Sequence, residues 1–240
     1  MTRRYDLQVH TNASPCSSAP PERVVSAAVD AGLDGIAVTD HDTLENVDAV
    51  RKAAPADLEV VSGVEVTTTE GHLLALDVTA VPPRADPLAV IDDVHDQGGV
   101  AVLSHPFDSL RQFYERDLEA LADAVDAVEA VNSRCVRRRY NERAAAFAID
   151  HDLPATGGSD AHFPMEVGRA YTTVEGRVDV GGEDGLEGNG SLAGAVLEGR
   201  VRPGGRGRYL SGHVATKLHQ FRTAAGRTLE RIESGGSARR

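Results

Sequence analysis

Short, β-branched apolar runs alternate with amphipathic stretches between Tyr5 and about Tyr171. The runs have the length and composition of buried strands, and the stretches between them repeat apolar positions at helical spacing. This alternation predicts an α/β domain with a mostly parallel sheet, and the number of runs favours a closed or nearly closed barrel. We expect helices over 21–31, 44–54, 87–97, 118–122 and 134–150, and strands that include 73–76 and 126–131.

The pattern changes after Val174. Residues 176–190 are rich in glycine and acidic residues, which predicts a surface loop. A short helix is expected over 191–199 and a Gly/Arg linker over 200–208. The last stretch repeats apolar residues three or four apart, which predicts an amphipathic helix that packs on its own domain or on a partner. The expected divisions are a barrel over 1–175, a loop and short helix completing the domain over 176–208, and a helical tail with a disordered end over 209–240.

Several of the strand-like runs lead into a histidine or a carboxylate. The clearest case is the sequence GGSDAH, which places Asp160 and His162 directly after such a run. In a barrel of parallel strands the carboxyl ends open on one face, so residues distant in sequence meet there. One histidine in such a place is usually an ordinary core or surface residue, but five of them with Glu65 and Asp160 indicate a metal-dependent hydrolase. The five are His10, His41, His72, His105 and His162.

Composition narrows the class of protein. The chain has 240 residues, of which 41% are hydrophobic, enough for one domain of barrel size. Its net charge of −12 disfavours long-range attraction to nucleic acid or an anionic membrane. Such an acidic surface resembles that of proteins from high-salt cytoplasm, although an ordinary acidic surface is the alternative. The absence of a long apolar run, a leader pattern or a disulfide framework predicts a cytoplasmic protein.

Six segments, in order, resemble the PHP family, named for polymerase and histidinol phosphatase. They are DLQVHTNAS, AVTDHDT, GVEVTTTEGHLL, AVLSHPF, AVEAVNSR and GGSDAHF, and the resemblance extends from about Tyr5 to Thr173. It implies a distorted, TIM-like (β/α)7 barrel with two or three divalent metal ions, manganese, zinc or iron, at the carboxyl ends of the strands. It also implies phosphoester hydrolysis. Residues 191–208 resemble a short segment that often follows PHP domains.

The resemblance further implies which side chains hold the metal ions, with Glu65 bridging two of them. Asp40, beside His41, is a candidate carboxylate for orienting an imidazole, which metal sites commonly need. The implied ligands are Gln8, His10, Glu65 and Asp160 for a first ion, Glu65, His72 and His105 for a second, and His41, His162 and Cys16 for a third.

Two positions depart from the family pattern. Gln8 stands where the family has the first residue of a His-x-His pair, and an amide oxygen is a weaker ligand than imidazole. The first site is therefore expected to bind loosely, to use water or to stay empty. Cys16 stands where many relatives have Asp or His. A thiolate there would favour zinc, whereas a protonated thiol would be a small buried residue under the first loop.

The implied chemistry is attack on a phosphate ester by metal-activated hydroxide. The leaving oxygen then needs a proton, for which His41, His162 and Asp40 are candidates that the sequence does not rank. Phosphate also needs a cationic anchor. Arg134 is the first candidate because it is nearest to the end of a strand-like run, and Arg169 is the second. Arg111 and Arg116 are weaker candidates, and residues 137–139 are better explained as a solvated helix face.

We therefore expect a metal-dependent phosphoesterase that acts on a small phosphorylated metabolite or a nucleotide. The acidic charge and the lack of an aromatic and basic groove disfavour a nucleic-acid substrate. Exonuclease action at nucleic-acid ends, 3′-5′ or 5′-3′, is the alternative within the same chemistry. A second alternative is a barrel that binds a ligand or partner without turnover, because Gln8 replaces a ligand histidine. The sequence predicts no particular oligomeric state.

Overall fold

A computed structural model describes residues 2–111, 114, 118–176, 191–207 and 216. These residues form one mixed sheet flanked by helices, as the alternating pattern predicts. The strands are β1 (Thr2–Val9), β2 (Gly35–Val38), β3 (Glu59–Thr67), β4 (His72–Leu76), β5 (Val100–Ser104), β6 (Ala127–Asn132), β7 (Ala155–Gly158), β8 (Ala170–Glu175) and β9 (Val201–Gly205). The helices are α1 (Pro21–Asp30), α2 (Val47–Ala53), α3 (Pro87–Asp96), α4 (Glu119–Ala122), α5 (Arg138–Asp150) and α6 (Leu192–Leu197).

The helices expected over 21–31, 44–54, 87–97, 118–122, 134–150 and 191–199 are present, with shifted ends. α3 begins as predicted at Pro87, where the Asp86 carboxylate accepts a hydrogen bond from the Leu88 amide at 3.0 Å. α5, by contrast, begins four residues later than its pattern indicated. The Asn132 side-chain oxygen accepts from the Arg134 amide at 2.9 Å and so holds a turn directly after β6. Arg134 therefore lies in a loop at the end of the strand rather than in the helix.

The sheet order is β7-β6-β5-β4-β3-β2-β1-β8-β9. The β1, β2 and β3 strands are mutually parallel, and so are β5, β6 and β7, but β4 runs antiparallel to both of its neighbours. The expectation that every polar strand end is a carboxyl end was therefore wrong for one residue. His72 begins β4 and pairs with Thr67 and Ser104, the last residues of β3 and β5. The reversed direction of β4 brings this histidine to the same mouth as the others.

The sheet curls until its first strand meets the segment that follows β7. The His10 amide donates to the Ala161 carbonyl at 2.9 Å, and the Ala161 amide donates to the Gln8 carbonyl at 3.2 Å. The amide of Ser159 donates to the buried Asp6 carboxylate at 2.8 Å. These contacts make the barrel nearly closed and confirm the expected fold class.

Helix α6 lies at the end of the barrel opposite to the mouth that contains His72. Its Leu192 and Val196 side chains belong to one buried cluster with Leu7, Leu76 and Val100. Leu76 ends the reversed strand β4 and Val100 begins β5, so this cluster fills the barrel towards the amino ends of the parallel strands. The carboxyl ends are left for polar side chains.

Residues 201–205 form strand β9, not the linker that the glycines indicated. β9 pairs antiparallel with β8, and a Cβ atom on Gly204 would lie only 2.6 Å from the Tyr171 ring. The glycines thus allow close strand contact rather than marking a break. The predicted loop over 176–190, apart from Gly176, and the predicted helical tail over 209–240, apart from Thr216, lie outside the described residues. Among the helices described, none has the length and apolar character needed to cross a bilayer.

Candidate metal centre

One buried carboxylate, that of Glu65 near the end of β3, is surrounded by four imidazoles. Its Oε1 lies 3.0 Å from Nδ1 of His72 and 3.2 Å from Nε2 of His105. Its Oε2 lies 3.0 Å from Nε2 of His10 and 3.6 Å from Nδ1 of His41. Four histidines that are far apart in sequence therefore meet at one carboxylate, as predicted.

The geometry of these contacts is that of shared metal ligands. Nε2 of His10, Oε2 of Glu65 and Nδ1 of His72 are buried and, within the described residues, have no hydrogen-bond partner despite their short separations. Two ligands at about 2.1 Å from one cation lie about 3.0 to 3.4 Å apart in octahedral or tetrahedral geometry. Buried polar atoms without partners are costly, so these residues fit a bound divalent ion.

Asp160 and His162 extend the cluster, as the sequence GGSDAH predicted. Oδ1 of Asp160 lies 3.4 Å from Nε2 of His10 and 3.5 Å from Nδ1 of His162. Ligand atoms of these three residues lie within 4.8 Å of one another, and so do those of His10, Cys16 and His41. The implied ligands other than Gln8 therefore converge at one mouth of the barrel.

The charges of the cluster favour a cation. Burial by itself raises the pKa of Glu65, but the neighbouring imidazoles of His41 and His72 hold that pKa well below its usual value. Burial likewise raises the pKa of Asp160, but the Arg111 guanidinium and then His10 keep it well below its ordinary range. Both carboxylates are therefore ionised near neutral pH. A pocket that contains two buried anions and several imidazoles attracts a divalent ion.

Burial affects the remaining candidate ligands differently. It lowers the pKa of His162 well below its usual value and also lowers the pKa of His41. Both imidazoles are therefore neutral near pH 7, which suits a metal ligand or a proton acceptor better than a proton donor. Burial raises the pKa of the Cys16 thiol to about 11. A protonated thiol agrees with the interpretation of Cys16 as a small buried side chain.

Two of the cluster residues have unusual backbone conformations. His105 has φ of +31° and Asp160 has φ of +56°, in the region that residues other than glycine avoid. Such conformations cost about 1 to 3 kcal/mol each and are found mostly at functional sites. His105 directly follows β5 and Asp160 lies two residues after the end of β7, so the strained conformations occur where the side chains enter the barrel mouth.

Asp40 lies behind the cluster rather than in the pocket. Its Oδ1 accepts hydrogen bonds from the Thr11 amide at 2.7 Å and from the Ser14 hydroxyl. The same hydroxyl lies 3.3 Å from Nδ1 of His10. Asp40 thus orients His10 through Ser14, which supports its predicted orienting role and leaves it out of reach of a leaving group.

Gln8 is fully buried beside the cluster, with both ends of its amide engaged. Its Nε2 donates to the Ser104 hydroxyl at 3.2 Å, and its Oε1 accepts from Nδ2 of Asn132 at 3.0 Å. Asn132 Nδ2 also lies 3.0 Å from Oε2 of Glu129. Sequence reasoning assigned no role to Glu129 or Asn132, although both occur in the quoted segment AVEAVNSR. A glutamate inside an otherwise apolar strand was the signal that could have found them.

Arg111 has a larger role than its low sequence ranking indicated. Its guanidinium forms ion pairs with Asp108, through Nε at 2.9 Å, and with Oδ2 of Asp160. Its Nη2 donates to Oδ1 of Asn132 at 3.3 Å. The side chain is 21% exposed and reaches the pocket from the loop after β5. The loop pattern gave no signal for this contact.

A cavity of about 220 Å³ opens at the cluster. Arg134 lies on its wall, where the buried guanidinium donates to Glu166 at 2.7 Å and to Thr216 at 2.9 Å. Arg169 is not part of the described lining, so the structure brings only one of the two predicted phosphate anchors to the pocket. The lining residues are Cys16, His41, Glu65, His72, His105, Arg111, Arg134, Asp160, His162 and Thr216.

A nearly closed α/β barrel thus brings five histidines and two carboxylates to one mouth, a set of side chains able to hold divalent ions. The chain matches the PHP domain family over residues 6–148 and the PHP-associated family over residues 138–200. This protein therefore belongs to the PHP domain family, which confirms the resemblance seen in its motifs.

The chain is also similar to individual proteins and to solved structures. An uncharacterized protein of Methanocaldococcus jannaschii is 31% identical over 174 residues, which cover 70% of this chain and 69% of that one. A 5′-3′ exoribonuclease of Haemophilus influenzae is 35% identical over 89 residues, 35% of this chain and 32% of that protein. A crystal structure of a two-domain Bacteroides vulgatus protein containing a predicted PHP-like metal-dependent phosphoesterase has a TM-score of 0.67 at 21% identity and covers 86% of this chain and 65% of that one.

Proposed function

We propose that this protein hydrolyses the phosphate ester of a small metabolite or a nucleotide, using divalent ions held at the candidate metal centre. The observation that carries the proposal is the approach of His10 and His72 to Glu65 at 3.0 Å without hydrogen-bond geometry. Nitrogen and carboxylate ligands of this kind suit manganese, zinc or iron. Bound ions would supply an activated water and neutralise charge on the ester.

The residues of the chain have separable roles in this proposal. Glu65 would join the ions, because its two oxygens face different imidazoles. Arg134 would bind a non-reacting phosphate oxygen from the cavity wall, with Glu166 fixing the direction of its guanidinium. His162, neutral and beside Asp160, would hold an ion or accept a proton.

The size of the cavity supports a small substrate. A volume of about 220 Å³ admits a phosphoryl group and part of its leaving group, and the described lining contains no Phe, Tyr or Trp side chain on which a base could stack. The net charge of −12 also disfavours a long polyanion. A nucleotide would therefore be bound mainly through its phosphate.

The similarity to an exoribonuclease supports a second candidate, cleavage at an RNA end. The chemistry at the metal centre would be the same, and only the leaving group would differ. Short single-stranded oligonucleotides with and without a 5′-phosphate distinguish the two candidates, because only a nuclease shortens them by one nucleotide at a time.

Metal analysis together with a substrate panel tests the proposal. The full chain, purified and saturated with manganese, zinc or iron, should retain metal and hydrolyse at least one phosphomonoester, nucleotide or oligonucleotide. His105→Ala removes a nitrogen that contacts Glu65 and should abolish turnover. His95→Ala, on the outer helix α3 with a 40% exposed side chain, is the matched control and should keep it. Metal-free protein without turnover would instead support a binding barrel.

A further inference from the structure

The side of Asp160 that faces away from His10 is occupied by donors from the protein itself. Its Oδ2 accepts from Nη1 of Arg111 and from Nδ2 of Asn132, the latter at 3.2 Å. The two protons of Asn132 Nδ2 are shared among this oxygen, Gln8 and Glu129, so the Arg111 guanidinium is the main partner of Oδ2. Oδ1, by contrast, faces the partnerless Nε2 of His10. Oδ1 is therefore the oxygen of Asp160 that is placed to share a metal ion.

Gln8 offers no better ligand on that side. Its oxygen, the one side-chain atom able to bind a cation, accepts from Asn132, and its nitrogen donates to Ser104. Displacing Asn132 would also free its contact with the buried Glu129 carboxyl. The position where the family pattern has an imidazole is therefore occupied by an amide that is hydrogen-bonded at both ends.

The positive charge on this side is permanent and fixed in place. The three nitrogens of the Arg111 guanidinium each contact a different residue: Nε contacts the Asp108 carboxylate, Nη1 the Asp160 carboxylate and Nη2 the Asn132 side-chain oxygen. A guanidinium stays protonated at every physiological pH, and its planar donors suit carboxylates held in this way. A divalent ion beside the guanidinium would meet its repulsion, and the Asp160 charge that could offset this repulsion is already paired with Arg111.

We propose that the Arg111 guanidinium takes the place of one metal ion at the Gln8 side of the pocket, so that this protein holds two divalent ions rather than three. This inference rests on the proposed metal-dependent function. The two ions would use the atoms on the other side: the two Glu65 oxygens, Oδ1 of Asp160 and the imidazoles of His10, His41, His72, His105 and His162.

Metal stoichiometry tests the inference without any measurement of activity. Wild type, Gln8→His, Arg111→Met and the double variant are saturated with manganese, desalted and submitted to elemental analysis. Wild type and both single variants should hold two ions per chain. The double variant, which restores an imidazole and removes the repelling charge, should hold three. Arg138→Met, an 80% exposed arginine on α5, is the control and should match wild type.

Any wild-type count other than two, or three ions in Gln8→His alone, would overturn the inference, as would a folded double variant with only two. Removing Arg111 leaves two buried carboxylates facing each other, so circular dichroism must first show that these variants fold. If the Arg111→Met variants do not fold, the metal content of wild type, Gln8→His and Arg111→Lys tests the inference instead. Each of these three proteins should hold two ions. Two ions in the wild-type protein without hydrolysis of any ester would contradict the proposed function but not the inference that Arg111 replaces an ion. Three ions in the wild-type protein with hydrolysis would support the proposed function and overturn that inference.

Discussion

The hydroxyl of Ser14 links a buried carboxylate to an imidazole of the metal centre. Its oxygen donates its single proton to Asp40, so it can only accept from Nδ1 of His10, 3.3 Å away. In the neutral imidazole the single proton of His10 is thereby held on Nδ1, which leaves the lone pair of Nε2 directed towards Glu65. Ser14 thus favours the tautomer that suits a metal ligand.

Ser14→Ala should weaken metal binding without dismantling the fold. The substitution removes the acceptor for Nδ1 of His10, and the loss of such supporting contacts typically lowers metal affinity about 10- to 100-fold. Titration of manganese or zinc against a competing chelator measures the change. Ser18→Ala, at an exposed position of the same loop, should bind as wild type does. Equal affinities for both variants would show that Ser14 does not set the tautomer.

At this scale the sequence predicted which histidines and carboxylates meet but not the hydrogen bonds and ion pairs that hold them in place. His10, His41, His105 and His162 could be identified because each follows an apolar run, and strand direction then brings them together. Arg111 could not, since its partners Asp108 and Asp160 are joined only by the folded loop after β5. Hydrogen-bond networks between distant polar residues leave no periodic trace in a sequence.

At the scale of elements, the turn after β4 connects the barrel wall to helix α6. Asp77, directly after this strand and with φ of +58°, accepts a hydrogen bond from the Ala193 amide. Burial, and then the nearby Glu59 carboxylate, raise the pKa of Asp77 to about 6. The native state therefore binds this proton more tightly than the unfolded chain does, in which the carboxyl has its ordinary pKa of 3.8. Its contribution to stability is full below pH 3.8 and is lost as the pH rises to about 6.

Asp77→Asn should accordingly stabilise the protein above pH 6. Asparagine tolerates a positive φ and keeps an oxygen for the Ala193 amide, but it has no charge to bury. We expect a gain of about 1 to 2 kcal/mol in the free energy of unfolding at pH 7.5, shrinking towards pH 4.5, by urea titration. Asp152→Asn, at an exposed residue with φ of +53°, controls for the backbone and should change little at either pH. A gain that does not depend on pH would contradict the assignment.

Element positions were predicted well where caps and periodicity agree, as at Pro87, and less well where direction matters. Strand β4, which is antiparallel to both of its neighbours, has the same apolar pattern as a parallel strand. Its direction depends on a short connection, since only residues 68–71 separate it from β3. Such a connection can make a hairpin but cannot make a parallel crossover, so loop length was the neglected signal.

At the scale of the whole molecule, the cluster couples metal binding to protons. Burial lowers the pKa of His10, but Asp160 and Glu65 outweigh it and raise that pKa well above its usual value. The pKa of His72 is likewise lowered by burial and raised overall by Glu65. In the metal-free protein these two imidazoles keep a stabilising proton that is lost as the pH rises through their pKa values. A metal ion must displace these protons before it can bind the imidazoles, so metal binding strengthens as the pH rises.

The stabilisation given by metal should therefore grow with pH. Saturating manganese should raise the melting temperature more at pH 8 than at pH 6, because the metal-free state loses stability over that interval while the loaded state does not. Calorimetry in buffers of different ionisation enthalpy should also detect more protons released per ion at pH 6 than at pH 8. Glu65→Gln removes the carboxylate that the four imidazoles share and should abolish the shift at both pH values, whereas His95→Ala should preserve it. Equal shifts at pH 6 and pH 8 in the wild-type protein would show that His10 and His72 are already neutral without metal, and that the two carboxylates do not hold protons on them.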